Sequence, residues 1–164
     1  NILGRFQESG TGEIVHPEPT DLANTWIVKS KFELDPVINL PGPSAFTIPY
    51  GLTPGYIKAL SKERPIANRR YPFVCGSARH LEYVEITIPK NIQITNIPTK
   101  VQGIMYGQTY ISSYKQTGNI INVTREYSEE IGRDSCTPKQ EPAEPRRQML
   151  ELIKTDLRSQ IFVQ

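Results

Sequence analysis

The stretch that decides the predicted fold is Arg69–Pro89, with the sequence RRYPFVCGSARHLEYVEITIP. From Glu82 onward, side chains with polar groups alternate with aliphatic ones. Tyr83, Glu85 and Thr87 fall on one face, and Val84, Ile86 and Ile88 fall on the other. A period of two with β-branched residues is typical of a half-buried antiparallel strand. Pro89 lacks the N–H that a ladder needs and ends the strand. Glu82 and Glu85 therefore face opposite sides and cannot act together as an acid–base pair.

Three further strand-like runs follow in quick succession, namely Lys100–Tyr106, Gln108–Gln116 and Asn119–Tyr127. Gly107 and the turn residues Thr117-Gly118-Asn119 separate them. Turn signals at a spacing of roughly 8–12 residues are typical of a β-sandwich or a meander. Fourteen prolines against 11 glycines also favour many short elements joined by rigid turns. The predicted class is mainly β, an antiparallel β-sandwich.

The periodicity changes after Gly132, and Pro145 suits the first turn of a helix because its missing N–H has no partner there. Apolar residues then recur at helical spacing: Met149, Leu150, Ile153, Leu157 and Ile161. Charged residues lie largely off that stripe: Glu151, Lys154, Asp156 and Arg158. The pattern predicts a C-terminal amphipathic α-helix of about four to five turns. Packing on the sheet is the expected role, and a membrane-surface helix is the alternative.

The length of 164 residues fits one domain with a small appended piece. We predict a linker or an edge strand from a preceding domain over 1–20, an antiparallel β-sandwich over 21–134, and a linker with the closing helix over 135–164. The first residue is Asn1, which indicates a processed product or a piece of something longer. Shorter elements are expected as well: a strand at 45–48, a helix within 52–63 and a brief strand within 91–98.

The charges of the chain are nearly balanced, with 19 basic and 17 acidic residues and a net charge of +2. The two signs are interspersed, whereas a nucleic-acid-binding protein usually concentrates its basic residues on one face. No nucleic-acid partner is therefore predicted. No apolar run approaches the roughly 20 residues that a membrane-spanning helix needs, so no membrane span is predicted.

No catalytic, cofactor or metal site is predicted. The two histidines, His16 and His80, have no Cys, Asp or Glu at metal-ligand spacing, and a zinc site needs three or four ligands. A nucleophile–base–orienter set could be assembled from Cys75, His80 and either Asp21 or Asp134. This set is disfavoured because Cys75 lies within or at the end of a strand, and not at a helix N-terminus that would lower its pKa.

Three tyrosines, Tyr106, Tyr110 and Tyr114, recur at a spacing of four residues. Tyr110 and Tyr114 share one face of their strand, and exposed tyrosines are natural anchors for a protein or glycan ligand. Packing of these side chains under the terminal helix is the favoured alternative. The three tyrosines are the candidate binding face.

Cys75 and Cys136 are the only two cysteines of the chain. They are either two unrelated buried thiols or a disulfide closing a segment of 136 − 75 = 61 residues. In the chain-entropy model such a bridge stabilises the fold by roughly 4 kcal/mol, and it implies an oxidising compartment. The residues alone leave both alternatives open.

The order of several segments resembles that of a known family: TDLANTWIVKSKFEL, PGPSAFTIPYGL, RRYPFVCGSARHLEYVEITIPKNIQITNIPTKV, YISSYKQTGNIINVTREY, and SCTP before a helix ending in KTDLRSQIF. From about Asp21 to Ile161 the chain resembles the C-terminal region of bacterial transglutaminase-like proteins. Those proteins carry an N-terminal β-domain of unknown function, a papain-like transglutaminase core and a trailing β-domain.

The resemblance implies a non-catalytic C-terminal domain that packs on or regulates the catalytic core, or presents a binding face. No residue here matches the nucleophile loop of the family, and the implied partner is the catalytic domain of the same polypeptide. Because many members are exported, the resemblance also supports a Cys75–Cys136 disulfide and a periplasmic or extracellular location. The alternative functions are a stand-alone adhesion or carbohydrate-binding sandwich and, as a third hypothesis, an enzyme in its own right.

Overall fold

A computed structural model of the chain describes residues 10–15, 29–34, 42–48, 55–62, 71–74, 76–130, 135–136 and 143–164. The chain divides into two compact units, Asn1–Asn39 and Leu40–Gln164. In the first unit, strand β1 (Gly10–Val15) pairs antiparallel with β2 (Lys29–Leu34), and Gly12 lies opposite Phe32.

The second unit contains nine described strands and two helices. The strands are β3 (Ser44–Thr47), β4 (Phe73–Val74), β5 (Ala78–Thr87), β6 (Ile94–Asn96), β7 (Val101–Met105), β8 (Gln108–Thr117), β9 (Ile120–Glu129), β10 (Ser135–Cys136) and β11 (Gln160–Val163). The helices are α1 (Gly55–Ser61) and α2 (Ala143–Leu157). The three strand-like runs that begin at Lys100 and the strand predicted from Glu82 onward are thereby confirmed.

The largest sheet has four antiparallel strands in the order β5-β9-β8-β7. Its central strand β9 alternates without interruption between buried and half-buried residues over Ile120–Glu129. We call the face that carries the buried residues of β9 the inner face and the opposite one the outer face. In β5 the residues Tyr83, Glu85 and Thr87 are exposed on the outer face, and Glu82 lies on the inner face, which confirms the predicted alternation and the separation of the two carboxylates.

Both helices pack on the inner face, where they close the core. The core cluster consists of Ile57, Leu60, Tyr110, Tyr127, Met149, Leu150, Ile153 and Leu157. Each large aliphatic side chain buried in this way contributes about 1.5–3 kcal/mol. Helix α2 contacts β7 and β8, and Gly103 of β7 allows this approach because a Cβ at that position would collide with Leu152 of α2.

The amphipathic helix is confirmed, but its end is earlier than predicted. After Leu157, the N–H groups of Arg158 and Ser159 bond to carbonyl oxygens three residues back, which tightens and ends the last turn. Ile161, predicted on the helical stripe, lies instead in strand β11 and is fully buried. The β-branched and aromatic composition of Ile161–Val163 favours a strand once the helix has stopped.

Strand β11 forms the centre of a three-stranded antiparallel sheet, between β3 and β6. Gln164 continues this pairing, since its N–H and carbonyl groups bond to those of Gln93 at 2.8 Å each. The two-residue strands β4 and β10 pair separately. The predicted class, mainly β with antiparallel sheets and a C-terminal amphipathic helix, is confirmed; the domain boundaries at 20 and 134 stay a prediction.

Candidate functional site

The densest group of polar side chains lies between the inner face and helix α2, around the buried carboxylate of Asp156. Its Oδ1 accepts hydrogen bonds from Ser112 Oγ at 2.7 Å and Tyr114 OH at 2.6 Å. Its Oδ2 accepts from Tyr110 OH at 2.6 Å and Arg125 Nε at 3.3 Å. Four donors from two strands thus converge on one helical carboxylate.

Arg125 occupies the middle of this network because of its register in the sheet. It lies in β9 directly between Glu82 of β5 and Ser112 of β8. Its Nη1 donates to Glu82 Oε2 at 3.2 Å, and its Nη2 is buried with no hydrogen-bond partner among the described residues. The guanidinium therefore links a half-buried carboxylate of the edge strand to the fully buried one of the helix.

The environment of this network changes the acidity of its phenols. Burial, followed by the bond to Asp156, raises the pKa of Tyr114 to about 12. Burial, with the nearby charge of Asp156 and the bond to it, also raises the pKa of Tyr110. Because both oxygens of Asp156 are engaged and the carboxylate is buried, it cannot serve as a base or a nucleophile toward a ligand from solvent. The arrangement holds helix and sheet together.

A second polar group lies at the other end of the same face, around Glu129. Its Oε1 accepts from Gln108 Nε2 at 2.8 Å and from Arg146 Nη1 at 3.4 Å, and its Oε2 accepts from Tyr127 OH at 3.2 Å. Burial, followed by the charge of Glu129, raises the pKa of Tyr127. This carboxylate also joins β8, β9 and α2, so both polar groups connect the terminal helix to the sheet.

The only histidine within the described ranges, His80, takes part in an aromatic stack. Its ring lies on that of Tyr56 from α1, with centroids 3.8 Å apart and an interplanar angle of 11°. Tyr56 also contacts Tyr127, at 5.9 Å. Cys75, Asp21, Asp134 and His16, considered above as possible catalytic or metal-binding partners, lie outside the described residues. Among the residues that are described, no three of the types His, Cys, Asp and Glu are grouped closely enough to hold a metal ion.

The three candidate tyrosines do not form one exposed face. Tyr110 is completely buried and Tyr114 is half-buried, and both donate to Asp156 under helix α2. Their packing under the helix was the favoured alternative. Tyr106 is separate and 61% exposed, at the two-residue turn between β7 and β8. The candidate face reduces to Tyr106.

The structure describes the backbone of only one of the two cysteines in the predicted disulfide, Cys136. Cys136 pairs with Phe73 through the backbone of β10 and β4, which brings its chain segment beside the end of β4. Cys75 lies outside the described residues, so the bridge stays a prediction.

The outer face of the four-stranded sheet carries large apolar side chains in contact with solvent. Leu81, Tyr83 and Ile104 are 65%, 62% and 69% exposed. Polar pairs lie among them: Arg79 Nε is 2.6 Å from Glu126 Oε1, and the Tyr83 hydroxyl donates to Asn122 Oδ1. Leu81 and Tyr83 lie on the edge strand β5 and Ile104 lies on the opposite edge strand β7, so exposed apolar side chains are found at both edges of this face.

Asp156 and Arg125 are the residues that the sequence patterns did not single out. Asp156 was grouped with the charged residues off the apolar stripe, yet it lies three residues after Ile153 and is buried. The available signal was Arg125, which follows Ile121 and Val123 at the buried period of β9. A buried guanidinium needs a carboxylate partner, and the helix supplies it.

Comparisons of the chain with protein-family models, with curated proteins and with solved structures found no match in any of the three. None of the described helices combines the length and the apolar character needed to cross a membrane.

Proposed function

We propose that the chain is a non-catalytic structural and interaction domain, and that the outer face of its four-stranded sheet is the contact surface. The ionisable groups on the inner face are engaged with each other, and Asp156 is enclosed by four donors. The outer face, in contrast, leaves Leu81, Tyr83 and Ile104 in solvent.

The observation that supports this proposal most directly is the difference between the two faces. A sheet that closes one face with helices and keeps apolar side chains exposed on the other is suited to bind a second protein surface. The partner we propose is a transglutaminase-like catalytic domain of the same polypeptide, in an exported bacterial protein. This partner and this location rest on the sequence resemblance alone.

Two experiments test the proposal. The first reads the coding sequence on the N-terminal side of Asn1, where a Cys–His–Asp transglutaminase-like core is expected; a different upstream domain would exclude the proposed partner. The second measures binding of this chain to that catalytic domain, produced separately, after the outer-face substitutions Leu81→Glu and Ile104→Glu.

We expect the outer-face variant to bind about tenfold more weakly, because two desolvated contacts become charged. A charge-matched control introduces two glutamates at exposed positions outside this face, Gln160→Glu and Gln164→Glu. Equal binding by both variants and the unmodified chain would exclude the outer face as the contact surface.

A further inference from the structure

A groove of about 380 Å³ lies where helix α1 ends beside helix α2. Four basic side chains line it, Lys58 and Lys62 from the α1 side and Lys154 and Arg158 from the α2 side, together with the single acid Glu151. Buried Leu157 also lines it. A volume of this size falls within the range of about 300–1,000 Å³ found for small-molecule sites.

The lining of the groove is more positive than the rest of the chain taken together. Four positive charges and one negative charge give +3, whereas the whole chain carries only +2. The residues outside the groove therefore sum to 2 − 3 = −1. Both helices present their C-termini here, and each C-terminus contributes about half a negative charge. Even if Lys58, which has a further interaction, is not counted, compensation of those termini uses about one of the two remaining charges and leaves the groove positive.

The acid in the groove is already engaged by one of its cations. Glu151 Oε1 lies 2.7 Å from Lys154 Nζ, and the hydrogen bond from Lys154, with its charge, lowers the pKa of Glu151. Lys62 and Arg158 are exposed; neither side chain forms an ion pair with a described residue, although the charge of Arg158 also helps to lower the pKa of Glu151. These two cations, one following each helix, are available to a ligand.

We propose that this groove binds a small oxyanion that carries two or more phosphate or sulfate groups. Oxyanions are the ligands that match clustered ammonium and guanidinium donors. Because the available cations come from two different helices, a ligand with charge at both ends engages both, and a single phosphate engages one. Exposed cations are screened by salt, so the affinity falls as the ionic strength rises.

The test is a titration of the full 164-residue chain with pyrophosphate at low ionic strength, followed by calorimetry and by amide chemical shifts. We expect saturable binding that is about tenfold tighter for pyrophosphate than for inorganic phosphate, in line with engagement of a second cation. The largest shift changes should fall within residues 58–62 and 151–158. Titration with a sulfated disaccharide separates sulfate from phosphate as the source of the anionic groups.

The matched variants neutralise two cations each. Lys62→Gln with Arg158→Gln should weaken pyrophosphate binding about tenfold, and Lys90→Gln with Lys115→Gln, both exposed and outside the groove, should change it by less than about twofold. Absence of saturable binding to the unmodified chain, equal weakening by both pairs, or shift changes centred outside the two segments would each overturn the proposal.

Discussion

Asp156 Oδ2 lies 3.3 Å from Arg125 Nε, and the two side chains are 0% and 1% exposed. The pair joins the terminal helix to the central strand of the four-stranded sheet. Ion pairs excluded from water are stable only when further hydrogen bonds complete them, and three hydroxyls do so here. Loss of Asp156 leaves the buried Arg125 with only the half-buried Glu82 as an acidic partner, and loss of Arg125 leaves the Asp156 carboxylate with hydroxyl donors alone.

We therefore expect Asp156→Ala to lower the free energy of unfolding by about 3–5 kcal/mol. Urea denaturation followed by circular dichroism measures the change. Glu151→Ala is the control on the same helix: its carboxylate is exposed and pairs with Lys154, so its loss should cost less than about 1 kcal/mol. Similar values for the two variants would show that the buried pair does not hold the helix.

Alkaline pH should destabilise the fold through the buried phenols. Burial and the bond to Asp156 raise the pKa of Tyr114 from 10.0 to about 12. In the unfolded chain this phenol ionises first, so its contribution to stability is complete below pH 10 and is lost as the pH rises toward 12. Unfolding free energies measured between pH 9 and pH 12 check this, with Tyr114→Phe expected to show a flatter decline. An identical slope for the variant would assign the loss to other groups, such as Tyr110 and Tyr127.

The turn between β7 and β8 holds a residue type that it does not favour. Tyr106 has φ 49° and Gly107 has φ 76°, which is the two-residue hairpin turn in which Asn-Gly is preferred. Tyr106→Asn should raise the free energy of unfolding by about 0.5–1 kcal/mol, because Asn tolerates positive φ at lower cost. Thermal denaturation measures the gain. Tyr71→Asn, at an exposed tyrosine without positive φ, should show none; a gain there as well would point to removal of an exposed aromatic ring as the cause.

Gly103 should be sensitive to the addition of one methyl group. A Cβ there would overlap the Cδ2 methyl of Leu152, so Gly103→Ala should cost about 1–3 kcal/mol because the Leu152 side chain must change its rotamer or helix α2 must shift. Gly76→Ala is the control, because no atom lies within 4 Å of a Cβ there, and it should change stability by less than about 0.5 kcal/mol. Equal melting temperatures for both variants would mean that Leu152 adjusts without cost.

The predicted Cys75–Cys136 bridge is tested by intact mass. Oxidised protein purified without reductant should be two hydrogens lighter than the reduced form, and reduction should lower its stability by roughly 4 kcal/mol in the chain-entropy model. Purification under native conditions with alkylation of free thiols guards against oxidation in air. Two alkylated cysteines in that sample would remove the argument for an oxidising compartment.

The strands of the four-stranded sheet were predictable because their signals are local. Alternation over Glu82–Ile88 and the glycine-containing breaks around 107 and 118 specify strand, face and turn without knowledge of distant residues. The strand at Ile161 was not predictable in the same way. Ile161 continues the spacing of the helical stripe, and only the pairing of β11 with β3 and β6 decides against a helix.

Only one of the two charged residues at the centre of the polar network could be placed from the sequence, because local patterns do not specify contacts between distant residues. The placement of Arg125 on a buried period is local information, but its partner Asp156 lies 31 residues later on another element. From the sequence pattern, the position of Asp156 on helix α2 allows its carboxylate to be either solvated or buried. The choice depends on which side of α2 meets the hydroxyls of Tyr110, Ser112 and Tyr114, and that is fixed by tertiary packing.

Strand β11 follows β3 and β6 in the sequence but lies between them in the three-stranded sheet. The sheet therefore cannot assemble in the order in which its strands are synthesised. Strands β3 and β6 are synthesised before β11, which is the one strand partner that each has among the described residues, and until then each is an exposed edge able to recruit foreign strands. The sheet is complete only once residues 160–163 have been synthesised and have inserted between them. Nascent chains halted before this point should accumulate as aggregation-prone species that depend on chaperones.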